Sequence, residues 1–219
     1  MVTLAEDLFL LAVHKATGRL LIPATYLDLG LGGALLLDLV LRERVALADA
    51  HVTVVDPQPV GDSLLDAALA TIAGEAKARE PEYRVRHLAK GARAAVQGRL
   101  VAAGVLDMDE DRVLGLIPVH HVHQADDRIE HELMDHLSDA VVLSHPASRE
   151  TAAVVSLALA VGLERHLFPR SDRRAIRQRM QQVAAGSAGA WVGVAVKHAI
   201  DAVNASLGVG AGSLVPTES

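Results

Sequence analysis

One continuous apolar stretch constrains this fold more than any other feature. Leu29–Leu37 contains no charged side chain, and Asp38 is followed by three further apolar residues. A helix that is apolar on every side has to be buried on every side, and this one falls short of the roughly 20 residues that cross a bilayer. The stretch predicts the buried central helix of a bundle. Gly30, Gly32 and Gly33 would let another backbone approach its first turn closely.

The composition favours a helical core and narrows the class of function. Hydrophobic residues make up 51% of the 219, but aromatic residues only 2%, which favours close-packed helices over a β-sandwich. The net charge of −6 argues against a general nucleic-acid binder, because such binding depends on neutralising phosphates. Without cysteine there are no disulfides or thiolate metal sites. Acids near the start, where a signal peptide has Lys or Arg, indicate a cytoplasmic protein.

Local patterns predict several helices and two small hairpins. Thr3 and Glu6 have the spacing of a capping box at the start of a helix over residues 2–13. Short β-branched runs predict hairpins at 44–56 and 107–123. Further helices are predicted at 64–72 (capped by Asp62 or Ser63), over most of 75–104, and at 129–143, 151–163 and 183–196. The result is one mainly α, compact helical domain over residues 1–206, with a buried central helix and small β-hairpins. The glycine-rich residues 207–219 are predicted to be a flexible tail.

Histidines provide the strongest indication of an enzyme, because no nucleophile elbow or phosphate-binding loop occurs. His120, His121 and His123 end the second predicted hairpin, and His131 and Asp135 lie one helical turn apart just after it. Zinc takes three or four such ligands, so a metal-dependent enzyme using the region from His120 to His136 is one alternative. The simpler interpretation, which we favour, is a polar helix face beside an edge strand, with no metal and no catalytic residue.

Two groups of basic residues recur at helical spacing in this acidic chain. Arg86, Lys90 and Arg93 stand at i, i+4 and i+7, which would place them on one helix face. The second group is Arg170, Arg173, Arg174 and Arg177, with Arg179 nearby. Converging basic groups bind phosphate. The alternative is a solvated face in which these cations pair with Glu80, Glu82, Glu164 and Asp172.

Four segments, in this order, carry a resemblance to a known family. They are TLAEDLFLLAV from Thr3, GLGGALLLDLVLRERVAL from Gly30, VGDSLLDAAL from Val60 and ARAAVQGRLVAAGVL from Ala92. With them the sequence resembles a bacterial member of the Golgi phosphoprotein 3 family over most of residues 3–204. The resemblance implies a mainly helical, non-enzymatic protein without a cofactor. It would bind phosphatidylinositol 4-phosphate as a peripheral protein on the inner face of a membrane.

The resemblance also assigns residues to the headgroup site. Two basic residues that hold the headgroup in the family fall on Lys90 and Arg93, and Arg86 is expected to assist them. The family's tryptophan position falls on Pro23 and its other arginine on Gly32. Half of the binding groups are therefore absent. Tyr26, one helical turn after Pro23, is a conjectural replacement for the aromatic ring.

A second surface follows from the same resemblance. The apolar hairpin that the family uses for membrane contact and self-association falls on Val113, Leu114 and Leu116. The expected partners are an anionic phospholipid headgroup, the membrane surface and another copy of the chain. An oligomeric scaffold without a lipid ligand is a further alternative.

Overall fold

Ten helices and two hairpins form the part of the chain that the computed structural model describes. Described are residues 2–15, 17–113, 117–125, 128–169, 171–187 and 189–206, with the backbone alone for 108–113 and 117–124. The helices are α1 Leu4–Ala12, α2 Ala24–Leu41, α3 Ser63–Ala73, α4 Pro81–Leu88, α5 Ala92–Ala102, α6 Arg128–Val141, α7 Arg149–Val161, α8 Glu164–Leu167, α9 Arg173–Ala185 and α10 Ala190–Ser206. The strands are β1 Val45–Ala48, β2 His51–Val54, β3 Leu106–Val113 and β4 Ile117–Gln124. The predicted mainly α fold with small β-hairpins is confirmed.

Helix α2 is the central buried helix that the apolar stretch predicts. Leu27, Leu31 and Leu36 are fully buried, and α1, α4, α7 and α10 all pack against the helix. Because α2 begins at Ala24, the three glycines lie in its second and third turns and not in the first. By length and composition α2 could also cross a membrane, but 67% of it is buried inside the protein, as expected of a core helix.

Glycines on α2 set how closely its neighbours approach. A Cβ added to Gly32 would lie 2.4 Å from the carbonyl oxygen of Val85 and 2.7 Å from the backbone nitrogen of Ala89. Helix α4 therefore packs backbone to backbone against α2. Gly30 and Gly33 instead face side chains of α7 and α10, respectively. The close approach predicted for the glycine trio is confirmed, with Gly32 as the position of backbone contact.

Hydrogen bonds fix the N-terminal helix to the rest of the core. The Thr3 hydroxyl accepts from the backbone N–H of Glu6, and the Glu6 carboxylate accepts from the backbone N–H of Thr3 at 2.8 Å. The predicted capping box is thus confirmed. Asp62, which caps α3, accepts a 2.7 Å hydrogen bond from Arg99, whose Nε also lies 3.2 Å from Glu6. One guanidinium on α5 therefore joins α1 to the start of α3.

A group of carboxylates is buried where α1 meets α2. The Asp38 carboxylate accepts a 2.8 Å hydrogen bond from the backbone N–H of Leu4. Burial raises the pKa of Asp38 to about 6. Burial, together with the negative charges of Asp38 and Glu6, raises the pKa of Asp7 to about 7. The contact between these two helices is therefore sensitive to pH near neutrality.

The prediction that most of 75–104 is helical is confirmed, but the segment forms two helices and not one. Helix α4 ends at Leu88 and α5 starts at Ala92. Gly91 between them has a φ of 77°, a left-handed conformation that glycine adopts without steric cost. Arg86, Lys90 and Arg93 therefore do not share one continuous helix face.

The prediction of one helix at 183–196 is wrong, because this range contains the end of one helix and the start of another. Helix α9 starts after Asp172, whose side chain caps it, and ends at Gly186. Helix α10 begins at Ala190. A Cβ on Gly189 would lie 2.1 Å from a methyl carbon of Leu37, so the connection packs closely on α2 and a larger residue there would displace the Leu37 side chain.

Both predicted hairpins are confirmed as antiparallel pairs. Strands β1 and β2 pair from Val45 opposite Val54 to Ala48 opposite His51. Strands β3 and β4 pair from Leu106 opposite Gln124 to Val113 opposite Ile117. Leu114, Leu116 and residues 207–219 lie outside the described residues, as does the side chain of Val113. The roles predicted for the second hairpin and the domain boundary at 206 stay predictions.

Candidate anion-binding site

A shallow cavity of about 370 Å³ lies where the α4–α5 connection meets the first half of α2. Its lining comes from both segments: Thr25, Asp28, Leu29, Ala89, Lys90, Gly91, Arg93 and Ala94. The close contact of α4 with Gly32 brings the connection against α2. The structure therefore brings Lys90 and Arg93 together at one cavity, although they do not share a helix face.

The two cations in this cavity differ in their surroundings. Arg93 is partly buried, and its Nε lies 3.1 Å from a carboxylate oxygen of Asp28. Lys90 is exposed and forms no ion pair within the described part of the chain. The cavity thus holds two positive charges and one negative charge, which leaves an excess of one positive charge.

The backbone adds to this positive potential. The cavity lies at the start of α5, where Gly91 occupies the N-cap position and no side chain caps the helix. The first turn also contains no acidic residue. The first N–H groups of a helix have no partner within the helix, and together with the helix dipole they favour an anion. The N–H of Ala92 already donates to the carbonyl oxygen of Ala89 at 3.2 Å, so an anion at this position would contact Lys90, Arg93 and the later amides of the first turn.

Arg86 lies apart from the cavity. It projects from α4, and its guanidinium pairs with Glu82 at 2.6 Å. This pairing is the solvated arrangement that the alternative interpretation describes. Arg86 is not among the residues that line the cavity.

The structure also places the two positions where the chain departs from the family pattern, and Tyr26, the suggested replacement. Pro23 is exposed and immediately precedes α2. Gly32 faces the α4 backbone so closely that it leaves no space even for a Cβ, so no side chain there could supply the missing arginine. The Tyr26 hydroxyl donates a 2.7 Å hydrogen bond to Asn204, and its ring lines a different cavity. Tyr26 therefore does not replace the aromatic ring at the Lys90 cavity.

The second group of arginines lies elsewhere. Arg177 donates a 3.0 Å hydrogen bond to Glu164, and Arg179 donates to the backbone carbonyl oxygens of Ala140 and His145. Arg173 and Arg177 line other cavities, and Arg170 lies outside the described residues. The two basic groups therefore do not converge on the Lys90 cavity.

The histidine region is described only in part. His120, His121 and His123 belong to β4, whose side chains the structure does not describe. His131 and Asp135 lie on the exposed surface of α6. Among the described residues, no three His, Asp or Glu side chains form a group that could hold a metal ion. The metal alternative thus stays a hypothesis.

Sequence reasoning missed two contributors to the site, Asp28 and the uncapped start of α5. Asp28 is a charged residue near the start of the otherwise apolar helix α2. Its pairing with Arg93 depends on tertiary packing, which the sequence does not show. Gly91 did offer a signal, since a glycine between two basic residues in a helical pattern indicates a helix boundary.

The fold is that of a mainly helical protein whose surface has a cavity lined by Lys90 and Arg93. The family model for Golgi phosphoprotein 3 matches residues 4–203. The chain therefore belongs to the Golgi phosphoprotein 3 family. A search of curated proteins finds no match.

Proposed function

We propose that the chain is a non-enzymatic, peripheral membrane protein that binds the phosphate of an anionic lipid headgroup of the phosphatidylinositol 4-phosphate type. The observation that carries the proposal is the placement of Lys90 and Arg93 at the uncapped start of α5, around a cavity of about 370 Å³. Lysine, arginine and helix N-terminal amides are the groups that bind phosphate in proteins. Family membership supports the same function.

The expected affinity for a membrane is weak. A basic residue near an anionic leaflet contributes about 1 kcal/mol, and Asp28 offsets part of that contribution. A single headgroup site of this kind requires a second membrane contact for stable attachment. We assign that second contact to the hairpin formed by β3 and β4. We place the bound protein on the inner face of the membrane.

The first test removes the two cations of the cavity. Vesicles of phosphatidylcholine with and without phosphatidylinositol 4-phosphate are floated with the wild type and with the double variant Lys90→Ala/Arg93→Ala. We expect the double variant to lose about tenfold or more in binding to the anionic vesicles, because each lost phosphate contact costs about 1 kcal/mol.

The matched control is Lys15→Ala/Arg19→Ala, which removes two exposed cations outside the cavity. It has the same net charge as the test variant, so general attraction to an anionic surface changes equally. Equal binding by the two double variants would contradict the proposal. Binding that does not depend on phosphatidylinositol 4-phosphate would also contradict it.

The second test releases Arg93 from its carboxylate partner. In Asp28→Asn the Arg93 guanidinium, which lies 3.1 Å from Asp28 in the native protein, no longer has a charged partner and is available to a phosphate. We expect tighter binding to the same anionic vesicles, by about threefold to tenfold. Unchanged or weaker binding would show that Arg93 does not contact the headgroup.

A further inference from the structure

A second cavity lies away from the proposed headgroup site, in a groove between three helices. Helices α9 and α10 both pack on α7 but make few contacts with each other. The gap between them has a volume of about 730 Å³, within the range of small-molecule sites. Along α10 its wall extends from Ala190 to Asp201, about 16 Å at 1.5 Å per residue.

Small side chains keep this groove open. Six of its lining residues are alanine or glycine: Ala160, Gly162, Ala184, Ala185, Ala190 and Gly193. Leu159, Val161 and Val194 add apolar surface, and 54% of Val194 is exposed to solvent. The groove therefore offers an apolar surface that nothing in the described part of the chain covers.

One oxygen of a buried carboxylate that lines the groove lacks a hydrogen-bond partner. Glu164 is only 9% exposed, and Arg177 donates to its Oε1 at 3.0 Å. Its Oε2 is buried and has no hydrogen-bond partner in the described part of the chain. An unsatisfied buried oxygen of this kind costs about 1–3 kcal/mol. Because Oε2 has no solvent-exposed surface, a ligand donor reaches it only after the Glu164 side chain rotates toward the groove, and the hydrogen bond then removes this penalty.

The charges around the groove leave one cation in excess. Arg177 pairs with Glu164, and Lys197 pairs with Asp201 at 2.9 Å. Arg165 also lines the groove, is exposed, and forms no ion pair within the described residues. A ligand that matches this site carries a negative charge for Arg165 and a donor for Glu164.

We infer that the groove binds a single-chain amphiphile whose anionic headgroup also carries a hydroxyl or amino donor. Its hydrocarbon chain lies on Leu159 and Val194, its anionic group contacts Arg165, and its donor reaches Oε2 of Glu164. This chemistry is that of a lysophospholipid, either free in solution or drawn from a membrane. The site is independent of the Lys90 cavity, although residues in the first half of α2 line both of them.

Calorimetric titration with short-chain lysophosphatidylglycerol, kept below the concentration at which it forms micelles, tests the inference. We expect saturable binding by the wild type, and weaker binding of octyl glucoside, which lacks the charge, and of glycerol phosphate, which lacks the chain. No binding of the lysolipid either in solution or in phosphatidylcholine vesicles, or equal binding of octyl glucoside, would overturn the inference. A repeat with the lysolipid embedded in phosphatidylcholine vesicles separates the two sources, since binding only there would indicate uptake from a membrane.

Three variants locate the ligand. Arg165→Gln removes the excess cation, and Ala184→Leu fills the groove. Glu164→Gln places an amide NH₂ at the Oε2 position, because Arg177 holds the other atom as an acceptor. We expect each variant to lose about tenfold in affinity, which is about 1.4 kcal/mol, with native circular dichroism.

The control is Lys90→Ala/Arg93→Ala, which should bind the lysolipid as well as the wild type does. If this pair loses the lysolipid while Arg165→Gln keeps it, the ligand occupies the headgroup cavity and the inference fails. If vesicle flotation depends on Lys90 and Arg93 but no variant of the groove changes lysolipid affinity, the inference fails and the proposed headgroup function stands.

Discussion

Gly32→Ala is expected to destabilise the protein by about 2 kcal/mol or more, even though alanine is the better helix former. The added Cβ would lie 2.4 Å from the carbonyl oxygen of Val85 and 2.7 Å from the backbone nitrogen of Ala89. Both atoms belong to the backbone of α4 or its end, so no side-chain rotation relieves the contact. Overpacking of a rigid core costs about 1–3 kcal/mol or more, which exceeds the gain of about 1 kcal/mol in helix propensity.

Chemical denaturation measures the loss of unfolding free energy directly. The midpoint temperature of thermal unfolding should fall by about 5–10 °C. Gly98→Ala is the matched control, because Gly98 is exposed in the middle of α5 and a Cβ there meets nothing within 4 Å. That variant should be as stable as the wild type, or more stable by up to about 1 kcal/mol. A stable Gly32→Ala protein would mean that α4 does not pack backbone to backbone against α2.

The second large effect is a loss of stability as the pH rises from about 4, the ordinary carboxyl pKa, to about 7. Burial raises the pKa of Asp38 to about 6, and burial with neighbouring negative charge raises the pKa of Asp7 to about 7. Both groups hold their protons more tightly in the folded chain than in the unfolded chain. Their contribution is therefore complete in acid and is lost as the pH rises through these two values.

Asp7→Asn should remove much of this dependence, and at about pH 8 it should stabilise the protein by about 1–3 kcal/mol. The measurement is the free energy of unfolding by urea at a series of pH values. Glu132→Gln, at an exposed site on α6, is the control and should follow the wild type. A wild-type stability that is constant or rises over this range would contradict the assignment. Burial alone would raise the pKa of Asp62, but its hydrogen bond from Arg99 lowers it, so its effect lies at more acid pH.

Local sequence signals correctly predicted the features that depend on residues close together in the chain. The Thr3–Glu6 capping box and the cap at Asp62 are formed by residues within three positions of one another, and both are confirmed. The apolar stretch of α2 also predicted correctly that the helix is buried, because no exposed face is available to it. The helix predictions at 75–104 and 183–196 each missed a break, at Gly91 and near Gly189, where a glycine ends a helical pattern that otherwise continues.

The candidate site was less predictable, because tertiary contacts assemble it. Lys90 and Arg93 could be named from the sequence, but their position beside Asp28 depends on the contact between Gly32 and α4. The exclusion of Arg86 follows from its pairing with Glu82, which spacing alone left open. The groove at Glu164 results from how α9 and α10 diverge over α7, and no pattern in the sequence records that divergence.

The all-round burial of α2 has a consequence for how the chain is synthesised. Its cover includes α7 and α10, which leave the ribosome more than a hundred residues after α2 does. Until then, α2, which has 18 residues and is apolar enough by composition to enter a bilayer, has only some of the helices that bury it. We therefore expect nascent chains to expose apolar surface of α2 until α7 and α10 are made, and a fragment ending before α7 to aggregate.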